Sequence, residues 1–216
     1  MSGVLRYWWI ALLVALCAPG GYAVAQSRSA VILVLGDSLS AEYGLSRDTG
    51  WVGLLTKRLA QETQGGAKRA HQYTVVNASI SGETTSGGRT RLPTLLKQHR
   101  PSIVILQLGA NDGLRGLPLA TMRDNLNAMI DAGQAANAKV LVVGMRMPPN
   151  FGREYAERFF ETFGQVAREQ KTGYVPFLLE GFADQLGLFQ PDRIHPNETA
   201  QPLMLDTVWP RLRPLL

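Results

Sequence analysis

The amino-acid sequence predicts a single α/β domain of three layers, with a mostly buried parallel sheet between two sets of helices. Three observations carry this. Short continuous apolar runs, rich in Val, Ile and Leu, recur along the chain in the pattern of strands covered on both faces. Longer segments with apolar residues at helical spacing separate them. Finally, 216 residues, 45% hydrophobic and 18% charged, suffice for one full core and are short for two.

Residues 30–35 form the first apolar run, which ends at Gly36, and a helix is expected near 51–64. The run 73–77 follows as a second strand, then a helix over 89–99. A third strand over 103–108 ends at Gly109, and the next helix spans about 119–136 with Met122, Leu126, Met129 and Ile130 as its core-facing stripe. Residues 140–143 end at Gly144, a helix covers 154–170, Tyr174-Val175 is a weak last strand, and a helix over 199–212 closes the chain. About five strands alternating with helices imply right-handed crossovers and a flavodoxin-like outline. Ligands gather at the carboxyl ends of strands in such sheets, which directs attention to 36–40, 78–84, 109–115, 144–152 and the stretch before the last helix.

The N-terminus reads as an export signal. A short basic start over 1–6 precedes an apolar run over 7–17, then Pro19, Gly20 and Gly21, then Ala23-Val24-Ala25. The small-x-small triplet predicts cleavage after Ala25, leaving 26–216 as one exported, periplasmic domain. The alternative is an uncleaved anchor, for which the run is shorter than the roughly 20 residues a bilayer span requires. A lipoprotein is disfavoured because bulky Leu16 directly precedes Cys17. Cys17 is the only cysteine, so the mature protein would hold no disulfide, thiolate metal site or cysteine nucleophile. The formal charge of +5 is scattered, without a basic run carrying interleaved aromatics. A nucleic-acid partner is not expected; a solvated surface with some attraction to anionic lipid or substrate is.

The strand-end windows hold a chemical set. Gly36-Asp37-Ser38-Leu39-Ser40 places Ser38 at a turn directly after the first strand, where the N-terminus of a following helix would favour developing negative charge. Such residues are also common in plain turns. A serine nucleophile needs a base, usually a histidine held by a carboxylate. Of three histidines, His71 lies in a polar linker and His99 at a helix end. His195 sits in Gln190-Pro191-Asp192-Arg193-Ile194-His195-Pro196-Asn197, with Asp192 three residues before it, a spacing that lets the carboxylate fold back onto Nδ1. The alternative is a solvated Asp and His ahead of a helix. Gly82 can bring a backbone N–H close to an oxyanion, and Asn111 offers a side-chain amide; with Ser38 N–H they would complete an oxyanion hole. Each reads equally as a turn residue taken alone. Their common placement at strand ends, in one order along the chain, is what argues for catalysis.

The chain resembles the SGNH subgroup of GDSL hydrolases, named for the four residues matched by Ser38, Gly82, Asn111 and His195. It is most similar to the bacterial periplasmic acyl-CoA thioesterase I, lysophospholipase and arylesterase group. The segments Gly109-Ala110-Asn111-Asp112-Gly113-Leu114-Arg115-Gly116, Met147-Pro148-Pro149-Asn150-Phe151-Gly152 and Asp192-Arg193-Ile194-His195-Pro196-Asn197 carry that resemblance. It implies a Ser38–His195–Asp192 triad, an acyl-enzyme, and no cofactor or metal. It also implies an acyl groove between 114–118 and 147–155, to which Leu114, Met147, Pro148, Phe151 and Ile194 would add apolar surface. The expected substrate is a small acyl ester or thioester, and the expected protein a monomer with at most peripheral lipid contact. Asp37 and Asp112 are expected to be structural. Two rival readings are a carbohydrate O-deacetylase on the same scaffold and a non-catalytic flavodoxin-like ligand-binding module. The latter leaves Asp192-x-x-His195 unexplained.

Overall fold

Five parallel strands form one sheet in the order β2-β1-β3-β4-β5, as seen in a computed structural model that describes residues 30–64 and 73–216. The expected signal segment and His71 lie outside the described residues. The strands are β1 (Ala30–Gly36), β2 (Tyr73–Asn77), β3 (Ile103–Gln107), β4 (Lys139–Val143) and β5 (Gly173–Val175). The register sets Leu33 beside Val76 on one side and Val104 on the other, and Ile105 beside Leu141. Every residue of β3 is buried, as expected for the centre of a sheet covered on both faces.

The helices are α1 (Trp51–Gln64), α2 (Thr85–His99), α3 (Ala110–Leu114), α4 (Leu119–Ala135), α5 (Arg153–Glu169) and α6 (Gln201–Leu212). α1 packs with α6, while α2, α4 and α5 pack in succession, giving the two outer layers. Met122, Leu126, Met129 and Ile130 are all buried, so the apolar stripe of α4 faces the core as its spacing predicts. Burying each such side chain contributes about 1.5–3 kcal/mol before entropy is counted. Among the described residues no helix is long and apolar enough to cross a membrane.

Three local features depart from the sequence reading. α2 begins at Thr85, four residues before the expected start, with the Thr84 hydroxyl accepting from Gly87 N–H at the cap. Its first turn is Thr-Ser-Gly-Gly, a poor helix former, and Gly88 is there for close approach: a Cβ would lie 2.3 Å from Leu108 Cδ1. α3 is a five-residue helix where a loop was expected. The third departure concerns Ser38. No regular helix follows it, because residues 38–44 run as successive turns in which Glu42 (φ 59°) and Gly44 (φ 70°) are left-handed. Ser38 therefore does not stand at the N-terminus of α1, which starts at Trp51.

The strand order reverses between β1 and β3. β1 continues outward to β2, and the chain then returns to place β3 on the other side of β1. A crevice at the carboxyl ends of β1 and β3 follows from this switch, flanked by Ser38 and Asn111.

Candidate active site

The loop that carries His195, the expected base, is built from short-range contacts. Gln190 N–H donates to the His195 carbonyl at 2.7 Å, and Arg193 N–H to the Gln190 carbonyl at 2.9 Å, closing a tight loop with Arg193 left-handed at φ 57°. Inside it, Asp192 Oδ1 accepts from the backbone N–H groups of Ile194 (2.9 Å) and His195 (3.0 Å). Its other oxygen, Oδ2, lies 2.7 Å from His195 Nδ1. Partial burial pushes the Asp192 carboxyl up. The two N–H donors and the imidazole outweigh that and hold it down at about 2. The carboxylate is thus ionised at neutral pH and fixes the proton of the imidazole on Nδ1.

That leaves Nε2 as an acceptor, and it lies 2.9 Å from Ser38 Oγ. The two residues are 157 positions apart in sequence. The Tyr43 ring leans on the imidazole with centroids 4.4 Å apart and planes tilted by 38°. Tyr43 is itself half exposed, so it shields one face of the base from the solvent side.

The Ser38 end is built differently, from long-range buried contacts. Asp37 Oδ1 accepts from Leu39 N–H at 3.0 Å and from the Gln107 amide at 3.1 Å. Gln107 Oε1 in turn accepts from the Ser40 hydroxyl at 2.6 Å, and the Trp51 indole N–H donates to Ser40 Oγ at 3.2 Å. Asp37, Ser40, Gln107 and Trp51 are all buried. Loss of hydration pushes the Asp37 carboxyl up to about 6, against the opposing effect of Leu39 N–H, Gln107 and His195. Its oxygens point into this network and not at Ser38, which makes Asp37 a structural partner.

The three expected oxyanion donors lie in turns that Asn111 links. Among the described residues, neither Ser38 N–H nor Gly82 N–H has a protein acceptor. Gly82 sits at φ 80°, and its carbonyl is held by Arg115 at 2.9 Å. Asn111, in the first turn of α3, donates from Nδ2 to the Glu83 carbonyl at 3.1 Å, and more weakly to Asp37 Oδ2 at 3.5 Å. Its amide therefore joins the Asp37-Ser38 turn to the Gly82-Glu83 turn. Asp112 turns away: buried, it accepts from the backbone N–H and hydroxyl of Thr85 and so secures the start of α2.

The residues expected along an acyl groove are placed unequally. Leu114 and Ile194 are exposed (41% and 55%), Pro148 is exposed and Phe151 half-buried. Met147 belongs to the core: it packs under Gly113, where a Cβ would meet its sulfur at 2.7 Å. It presents little surface. Sequence reasoning missed Tyr43, Gln107 and Arg115 as neighbours of the site. A polar Gln ending the apolar run of β3 was the one visible signal; nothing local marked Tyr43. His99 ends α2 and does not join the cluster. Among the described residues no group of three or more His, Cys, Asp or Glu stands together as metal ligands would.

An ionised carboxylate, an oriented imidazole and a hydroxyl in hydrogen-bonding line, with free N–H donors nearby, can perform acyl transfer. The GDSL-like lipase/acylhydrolase family model matches residues 34–201. "Esterase TesA" of Pseudomonas aeruginosa is 47% identical over 206 residues, covering 95% of this chain and 99% of that protein. "Thioesterase 1/protease 1/lysophospholipase L1" of Escherichia coli is 40% identical over 185 residues, 86% of this chain and 84% of that one. The structure of the psychrotrophic esterase EstA from Pseudoalteromonas, solved inhibited by monoethylphosphonate, superposes with a TM-score of 0.78 at 40% identity, covering 85% of this chain and 97% of that one. With a model match over most of its length and relatives this similar, the chain belongs to the GDSL-like lipase/acylhydrolase family and is a hydrolase of ester bonds.

Proposed function

We propose that the protein is an exported serine esterase and thioesterase acting on acyl esters and thioesters such as acyl-CoA, lysophospholipids and aryl esters, with Ser38 as nucleophile. The observation that carries this reading is the continuous line Asp192 Oδ2–His195 Nδ1 (2.7 Å), His195 Nε2–Ser38 Oγ (2.9 Å). In the mechanism that follows, His195 takes the Ser38 hydroxyl proton as Oγ attacks the acyl carbonyl. Asp192 orients the imidazole and stabilises its cationic form. Ser38 N–H, Gly82 N–H and the Asn111 amide receive the oxyanion of the tetrahedral intermediate. His195 then protonates the departing alcohol or thiol, and water repeats the sequence on the acyl-enzyme. The names of the relatives, an esterase and a thioesterase/lysophospholipase, support this range of leaving groups.

Leu114, Pro148, Phe151 and Ile194, over a floor that includes Met147, supply the apolar surface for the acyl chain. Burial contributes about 0.8 kcal/mol per CH₂, so kcat/KM should climb with chain length until the surface ends. A panel of aryl esters, acyl-CoA thioesters, lysophospholipids and acetylated sugars, run on the purified mature protein, tests this. The expected result is turnover that rises with chain length across esters and thioesters; a preference confined to acetylated sugars would overturn it. Export rests on residues 1–25, and N-terminal sequencing of secreted material is expected to begin at Gln26; a chain beginning at Met1 contradicts it.

A further inference from the structure

We propose that Gln190 is a positioning residue that sets the distance between nucleophile and base by tying their two loops together; the inference rests on the roles given above to Ser38 and His195. Ser38 and His195 come from opposite ends of the chain, and a hydrogen bond between two side chains does not itself hold two loops in register. A misplacement of about 1 Å at a reacting pair can cost roughly a hundredfold in rate. Something must fix the separation.

Gln190 is placed to do so from both its backbone and its side chain. Its backbone N–H donates to the His195 carbonyl at 2.7 Å, so it is anchored to the base itself. Its side-chain Nε2 donates to the Tyr43 carbonyl at 2.8 Å and to the Pro196 carbonyl at 3.2 Å. One amide thus spans the turn that carries Ser38 and the residue that follows His195. Tyr43 completes the tie, since its ring rests on the imidazole 4.4 Å away while its carbonyl is held by Gln190. The Ser38 turn is shaped around this amide: at Gly44 (φ 70°), a Cβ would lie 2.1 Å from Gln190 Oε1.

A second amide grips the same carbonyl from the protein interior. Gln201 Nε2 reaches Pro196 O at 3.4 Å and Asn197 O at 3.2 Å, while its Oε1 accepts from Trp51 N–H at 3.0 Å. Gln201 is buried and serves as the fixed end; Gln190 is half-buried and joins the two loops. Neither amide bonds to the Ser38 hydroxyl or the His195 ring, so each acts through the loops that carry them.

Gln190→Met keeps the length of the side chain and removes the donor; Gln190→Ala removes both. With kcat referred to sites titrated by a fluorophosphonate, misfolded protein drops out of the measurement. Both variants are expected to lose kcat roughly 10- to 100-fold on one aryl ester, with KM within about twofold. The midpoint of the acid limb of kcat/KM should stay in place, because the Asp192–His195 contacts lie wholly within the base loop. Wild-type kcat in Gln190→Met would reduce the role to packing and overturn the inference. So would a loss carried by KM, which marks a substrate contact, or a moved acid limb, which marks collapse of the base loop. Turnover retained by Ser38→Ala would instead remove the reading of the site itself, whereas loss there with full rate in Gln190→Met removes only the role of Gln190.

Discussion

The two sides of the site are built on opposite plans. The base loop is short, exposed and almost self-contained: Asp192 serves three groups within three residues of itself, and its carboxyl is pulled down to about 2 by them. The nucleophile side is buried and stitched over long sequence separations, from Asp37 to Gln107 and from Ser40 to Gln107, and the carboxyl at its heart is pushed up to about 6. One aspartate is ionised to orient a base. The other is held above the ordinary carboxylate range because it is buried away from water. The difference teaches that in this protein the charged work is done at the surface of the fold, and the buried polar groups hold the geometry on which that work depends.

If this division is right, substitutions on the two sides should fail in different currencies. The largest effects fall on the reacting groups. Ser38→Ala is expected to cut kcat by about 10⁴–10⁶, and Asp192→Asn by about 10⁴, with little change in unfolding midpoint, measured by ester turnover beside thermal denaturation. Asn111→Ala is next, at about 10²–10³ in kcat, the size expected for one oxyanion donor. Near-normal turnover in that variant would remove Asn111 from the oxyanion site. On the scaffold side, Gln107→Leu leaves buried Asp37 and Ser40 each short of a partner and should cost about 1–3 kcal/mol in denaturant unfolding. A loss of rate without a loss of stability in Gln107→Leu would break the comparison.

The remaining and most diagnostic effect is on pH. The folded state holds a proton on Asp37 up to about pH 6, while an ordinary carboxyl releases it near 3.8. Stability should therefore fall as pH rises from about 4 to 6, by an amount of order 3 kcal/mol, and Asp37→Asn should flatten that slope. Asp192 has the opposite sign: its contribution is complete above about pH 4 and is lost as pH drops toward 2. Because Asp192 is solvent-accessible, its slope should be the shallower of the two.

The same contrast governs what the sequence made legible. The five strands and the core of α4 followed from apolar runs and spacing, because both are local patterns. Asp-x-x-His was legible for the same reason, since a carboxylate three residues before an imidazole has only one turn to cross. The scaffold around Ser38 was not. Gln107, Ser40 and Trp51 meet through separations of 67 and 11 residues, and no local pattern says which buried polar groups will find one another. The helix expected directly after Ser38 is absent because Glu42 and Gly44 take left-handed backbones that break the segment into turns, and α1 starts only at Trp51. The start of α2 was hidden by Gly87 and Gly88, the first set close against Glu83 and the second against Leu108, where packing and not helix propensity decides. How deeply Met147 is buried was not legible either, because its position under Gly113 depends on a contact between distant segments.

The central claim, that Ser38 is the group activated by His195, is tested most directly by peptide mass spectrometry after reaction with a fluorophosphonate. One covalent phosphonate on Ser38 is predicted, formed rapidly in the native protein and strongly suppressed in His195→Ala. A phosphonate on any other residue, or undiminished labelling of Ser38→Ala, would contradict it.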